Sequence, residues 1–196
     1  MNMEANYWDN RYTRHETGWD LGTVSPPLKK YFDGLTDRSI RILIPGGGNS
    51  YEAEYLMRQG FTDVTVVDIS AVLVERLSVK FSSYTENGLH LIHEDFFLHA
   101  GQYDLIVEQT FFCALDPVLR PEYVRQMNGL LVEGGKLVGV LFDRDFPGGP
   151  PYGGSRAEYQ ALLETEFEVL VLEPCYNSIQ PRAGSEAFLI AQKKRR

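Results

Sequence analysis

Ile40-Arg41-Ile42-Leu43-Ile44-Pro45-Gly46-Gly47-Gly48-Asn49-Ser50 is the stretch from which the rest of the chain takes its meaning. Its Ile-rich half reads as a short buried strand, broken by a proline and three glycines. Tyr51 to Arg58 follows as a helical stretch, with Asn49 or Ser50 as its N-cap. Glycines there accept positive φ and let the backbone approach a ligand with no Cβ in between. About twenty residues further on, where a nucleotide fold places an acid for ribose hydroxyls, the apolar run Val64-Thr65-Val66-Val67 ends in Asp68. The plainer alternative is an ordinary αβ turn with a surface Asp.

Working outward, the pattern repeats. Phe61–Ile69, Leu89–His93, Tyr103–Val107 and Lys136–Phe142 read as further strands. Ser70–Phe81, Arg120–Leu131 and Ser155–Thr165 read as helices, the second closing near Glu133-Gly134-Gly135. Phe167–Leu172 and Ala187–Gln192 are late strands, with a polar, turn-like stretch between them. Alternating strands and helices predict an α/β fold, a parallel sheet with helices on both faces and a ligand edge at the strands' carboxyl ends. No linker, repeat or low-complexity tract divides residues 1–196, so one domain is expected.

Residues 1–39 carry both tryptophans, Trp8 and Trp19, with Tyr7, Tyr12, Tyr31 and Phe32. Asn6–Arg14 reads as a short helix, and Ser25–Phe32 as a helix with prolines in its first turn. The segment is either a fixed hydrophobic cap or a lid over the ligand edge. A glycine- and proline-rich loop, Asp143 to Gly154, leaves the fifth strand toward the same edge.

Composition excludes several classes. The formal net charge is -8 and no basic stripe is visible, which argues against a nucleic-acid partner. The closing Lys193-Lys194-Arg195-Arg196 reads as a solvated tail. No apolar run approaches a membrane span, and the polar N-terminus does not read as a signal peptide. Cys113 and Cys175 make neither a disulfide framework nor a metal spacing, so a reducing cytoplasm is expected. His90 and His93 fall on opposite faces of a strand, and no metal is expected. Cys113 lies in an apolar run without a base, as a core or wall residue would.

The ligand chemistry narrows further. A dinucleotide turn would place a third glycine where Tyr51 stands, three positions after Gly48. Asp95-Phe96, after the third strand, offers an acceptor and an apolar wall to an adenine. Asp68 for ribose and Asp95 for adenine, with no feature for a pyrophosphate, describe S-adenosylmethionine. A nicotinamide oxidoreductase and a non-catalytic adenosine-binding module are the other classes.

Ile42–Gly48, Asp68-Ile69-Ser70 and Glu94-Asp95-Phe96 resemble the successive motifs of class I S-adenosylmethionine-dependent methyltransferases. Trp8-x-x-x-Tyr12, Gly18-Trp19-Asp20-x-Gly22, Phe111-Phe112-Cys113-Ala114-Leu115 and Gly148-Gly149-Pro150-Pro151-Tyr152 are narrower. They resemble the thiopurine S-methyltransferase superfamily, closest to its thiol and halide branch with the plant "harmless to ozone" proteins. The resemblance implies a Rossmann-like, seven-stranded, mostly parallel sheet whose last strands form a reversed hairpin. It implies a cofactor site of Pro45, Gly46, Gly47, Gly48, Asp68, Ile69, Ser70, Asp95, Phe96 and Glu108, closed over by Trp8, Tyr12 and Trp19. Tyr152 is expected to project toward the transferring methyl, and Tyr152 and Trp19 to flank the acceptor, a small thiol, hydrosulfide, thiocyanate or halide. An aromatic thiol of the thiopurine kind is the alternative. The family usually carries a bulkier residue or Cys at Gly47, and its plant branch Trp at Tyr12 and Asp at Glu108.

Overall fold

The computed structural model describes residues 5–195; the first four residues of the N-terminal segment and Arg196 of the basic tail lie outside them. In chain order the elements are α1 (Ala5–Thr13), α2 (Pro26–Asp33), β1 (Ile42–Pro45), α3 (Tyr51–Arg58), β2 (Val64–Asp68), α4 (Ala71–Lys80), α5 (Ser82–Thr85) and β3 (Leu89–His93). Then come β4 (Tyr103–Gln109), α6 (Arg120–Leu130), β5 (Leu131–Phe142), α7 (Arg156–Leu163), β6 (Phe167–Pro174) and β7 (Glu186–Lys193). They form a 7-stranded sheet in the order β3-β2-β1-β4-β5-β7-β6. β1 to β5 run parallel, and β7 is antiparallel to both β5 and β6, as the resemblance implies.

Strand parity divides the core in two. Ile42 and Ile44 of β1 pack with Val64 and Val66 of β2 and Val107 of β4 under Leu28, Phe32, Leu56 and Leu73 of the helices on one face. Leu43, Val67 and Ile106 point the other way, toward Tyr123, Val124 and Met127 of α6 and Tyr159 and Leu163 of α7. Both faces are covered, which is why the central strands read as continuous apolar runs and not as alternating ones.

Several boundaries differ from the expectation. β2 begins at Val64, and Phe61 serves instead as a buried plug ahead of it. α6 ends at Leu130, and β5 starts at once with Leu131; Gly134 sits at φ 74 inside the strand, where the register against β4 slips. The Gly134-Gly135 pair thus marks an irregularity within a strand and not a helix end. Ser50 occupies the N-cap position of α3 at φ 56, and its hydroxyl donates to the Gly48 carbonyl at 3.1 Å without capping the helix. Ser70 does cap α4, its Oγ accepting from the Leu73 N–H at 3.2 Å.

A candidate active site at the carboxyl edge of the sheet

A cavity of about 760 Å³ opens where β1, β2, β3 and β4 end. Its floor is the glycine turn. Gly46 and Gly48 sit at φ +57 and +52, conformations that L side chains rarely adopt. The Gly46 N–H donates to the Val67 carbonyl at 2.7 Å, tying the turn to β2. A Cβ on Gly46 would lie 2.3 Å from Phe111 Cδ2, and one on Gly47 2.8 Å from Val66 Cγ1. Gly48 differs: the nearest atoms to its Cβ position are Tyr12 Oη at 3.7 Å and Trp19 Nε1 at 3.9 Å. Its missing side chain leaves room between the turn and the aromatic segment above.

At the end of β2, the Asp68 side chain accepts from the Ser70 N–H at 2.9 Å and is buried. Burial pushes its carboxyl up to about 6, against the lowering effect of the Ser70 and Gly48 N–H groups. Ile69 lines the cavity beside it. After β3, Glu94, Asp95, Phe96 and Phe97 form the next stretch of wall. Asp95 Oδ1 accepts from the Phe97 N–H at 2.9 Å, and Phe96 meets the Phe111 ring edge-to-face at 5.1 Å.

The aromatic segment closes the top. Trp8 and Trp19 meet edge-to-face at 5.5 Å, and Tyr12 and Trp19 at 5.8 Å. The segment is bonded down at several points. Asp9 Oδ1 accepts from Ser70 Oγ at 2.5 Å and from the Val72 N–H at 3.2 Å. Arg76 donates to the Tyr12 carbonyl, Arg182 to the Trp19 carbonyl, Asn49 to Asp20, and the Ser25 N–H to Glu52. Burial, with Asp68 nearby, holds the Tyr12 hydroxyl well above the usual phenol range.

The far wall is built from Cys113, Ala114 and Leu115 after β4, Phe142 at the end of β5, Phe146 in the loop beyond it, Pro150, Pro151 and Arg182. Phe142 and Phe146 meet edge-to-face at 4.9 Å. The Cys113 thiol donates to the Thr110 carbonyl at 3.2 Å, and burial pushes it well above its ordinary range.

Most of the expected residues meet here: Trp8, Tyr12, Trp19, Gly46, Gly47, Gly48, Asp68, Ile69, Asp95 and Phe96 all line the cavity. Four do not. Pro45 is buried as the last residue of β1. Ser70 is buried as the α4 cap. Glu108 is fully buried behind the wall, where Oε1 accepts from the Phe111 and Phe112 N–H groups at 2.8 and 2.9 Å and Oε2 from Tyr123 at 2.9 Å. Burial pushes its carboxyl up to about 7. Tyr152, expected to reach the methyl, instead folds back: a Cβ on Gly149 would lie 2.4 Å from its Cδ1. Its N–H donates to the Cys113 carbonyl at 2.6 Å, so the two prolines before it face the cavity in its place.

The wall also uses residues that the sequence reading missed. Phe111 lay within a quoted motif but carried no assigned role. Arg182 sits in the polar turn between β6 and β7, where no periodicity marks it. Among the described residues, no three His, Cys, Asp or Glu side chains group as a metal site, and no helix is long and apolar enough to cross a membrane.

Known proteins of one family resemble this chain over nearly its whole length. The family model described as thiopurine S-methyltransferase matches residues 3–194. A probable thiol methyltransferase 2 of Arabidopsis thaliana is 34% identical over 184 residues, covering 91% of this chain and 81% of that one. Thiocyanate methyltransferase 1 of Brassica oleracea is 29% identical, covering 94% and 83%. Among solved structures, a Burkholderia thailandensis 1,6-didemethyltoxoflavin-N1-methyltransferase with bound S-adenosylhomocysteine superposes with a TM-score of 0.77 at 17% identity, covering 97% of this chain and 87% of that one.

Proposed function

The chain belongs to the thiopurine S-methyltransferase family, and on that premise we propose that it transfers the methyl group of S-adenosylmethionine to a small soft nucleophile. The acceptor class is a thiol, hydrosulfide, thiocyanate or halide. The observation that carries the reading is the cavity at the carboxyl edge, with the bare Gly48 turn below, Asp68 at one side and the Trp8–Tyr12–Trp19 cluster above. The similarity to the Arabidopsis thiol and Brassica thiocyanate methyltransferases supports the acceptor class.

When bound, S-adenosylmethionine supplies a methyl group already activated by the sulfonium charge. Asp68 would accept from the ribose hydroxyls, Asp95 and Phe96 would receive the adenine, and the Gly46–Gly48 backbone would face the methionine portion. The rings of Trp8, Tyr12 and Trp19 exclude water and present electron-rich surface to a cation, a contribution of about 1–2 kcal/mol when desolvated. A halide, thiocyanate or thiolate arrives without a proton to lose. The protein's work is therefore alignment and desolvation, not proton removal. The Tyr12 and Cys113 groups, both pushed up by burial, keep their protons and act as wall. The reaction belongs in a reducing cytoplasm, where the two buried cysteines stay free.

The Phe142–Phe146 pair with Pro150 and Pro151 favours a second reading, an aromatic thiol seated against an apolar wall. Methyl transfer from labelled cofactor over iodide, thiocyanate, hydrosulfide, aliphatic thiols and aromatic thiols tests both. Transfer to the small anions and thiols is expected. A strong preference for aromatic thiols selects the second reading, and no transfer to any of them rejects the proposal.

A further inference from the structure

Glu108 lies one residue before the end of β4 and points away from the cavity, into the core shared with α6. Room is made for it: it pairs across the sheet with Gly139, where a Cβ would lie 2.5 Å from Glu108 Cβ. Both of its oxygens are used. One takes the N–H groups of Phe111 and Phe112, the other the hydroxyl of the buried Tyr123. To bring two successive N–H groups onto one oxygen the chain must double back, and Thr110 does so at φ 59. That reversal drives the Phe111 ring against the glycine turn, where it fills the space a Gly46 side chain would need, and edge-on to Phe96. Phe111 thus touches both the turn and the Asp95–Phe96 wall.

We propose that Glu108 is a positioning residue for the cofactor site, acting through Phe111: its carboxylate holds the β4 turn so that one ring braces the glycine cradle and the adenine wall together. The inference rests on the proposed function for its ligand. It differs from direct cofactor binding, because the carboxylate never reaches the cavity.

Three variants separate the possibilities, read by calorimetry with S-adenosylhomocysteine, by the KM for S-adenosylmethionine and by amide exchange at Phe111 and Phe112. Glu108→Gln keeps an acceptor for both N–H groups and is expected to bind within about threefold of wild type. Phe111→Ala leaves the anchor but removes the brace and is expected to lose about tenfold or more in affinity, the loss falling on KM and not on kcat. Glu108→Leu removes the acceptor and is expected to match Phe111→Ala, with the double variant no worse than either single one, as coupled residues behave. A tenfold loss in Glu108→Gln would make the carboxylate a direct ligand and overturn the proposal. So would unchanged affinity in Phe111→Ala, a readout that stands even where Glu108→Leu fails to fold. Wild-type protein that binds no S-adenosylhomocysteine refutes the proposed function instead. Exchange then still reads the anchor: protection at Phe111 and Phe112 kept in Glu108→Gln supports it, and protection lost there overturns it.

Discussion

Arg182 donates through Nη2 to the carbonyl oxygen of Trp19 at 2.7 Å, joining residues 163 positions apart in the chain. The same guanidinium pairs with Glu186 at 3.1 Å, at the start of β7. The late hairpin therefore holds the aromatic segment over the cavity. Removing the guanidinium in Arg182→Met takes away a charge-assisted hydrogen bond, normally about 1.5–3 kcal/mol. Faster amide exchange across Trp8 to Gly22 and a KM for S-adenosylmethionine raised about tenfold are expected. Unchanged exchange would mean that the segment holds without this bond.

Gly46 and Gly48 are expected to fail differently. Alanine at Gly46 drives its Cβ into Phe111, so Gly46→Ala should lower Tm and abolish binding together. Alanine at Gly48 meets no atom nearer than 3.7 Å, so its cost to the fold is the positive-φ strain alone, about 1–2 kcal/mol. Its methyl fills ligand space, so Gly48→Ala should stay folded and lose affinity for S-adenosylhomocysteine. Thermal melts beside calorimetry check the pair.

With Asp68 holding the ribose as proposed, cofactor binding should depend on pH. Burial pushes the Asp68 carboxyl up to about 6, and ribose hydroxyls would donate to the ionised form. Affinity for S-adenosylhomocysteine should therefore fall as pH drops through 6, approaching tenfold per unit. Asp68→Asn should flatten that dependence and cost about 1–3 kcal/mol of binding at pH 8. Calorimetry between pH 5 and 8 measures both.

Glu108 gives stability itself a pH dependence. Its carboxyl is raised from an ordinary 4.5 to about 7, so the folded state binds the proton more tightly than the unfolded chain. That contribution is present in full below 4.5 and is lost as pH rises toward 7, at most about 3 kcal/mol. Urea unfolding at pH 5 and pH 8 should find Glu108→Gln gaining on wild type at the higher pH. An identical pH dependence in both proteins would contradict the assignment.

The fold was legible because β1 and β2 are buried on both faces, β1 running directly into the glycine turn and β2 ending in Asp68, as the topology needs. The Trp-containing segment and Asp95-Phe96 were legible as motifs. The rest depended on directions that sequence does not carry. Glu108 and Gln109 are neighbours on β4, and strand parity says only that they point apart, not that Gln109 takes the cavity. Tyr152 looked placed by its prolines and glycines, but the bare Cα of Gly149 gave its ring a surface to fold onto. Ser50 had a capping identity, while its left-handed backbone turned the hydroxyl to Gly48.

The central claim, alignment of a soft nucleophile without a protein base, is tested most directly by pH–rate profiles at saturating cofactor for iodide and for an aliphatic thiol. With iodide, kcat should be flat from pH 7 to 9, because nothing on the acceptor titrates. With the thiol, the rate should climb with the thiolate fraction, tenfold per unit below its pKa. An iodide profile that rises or falls with a protein group in that range would contradict the account.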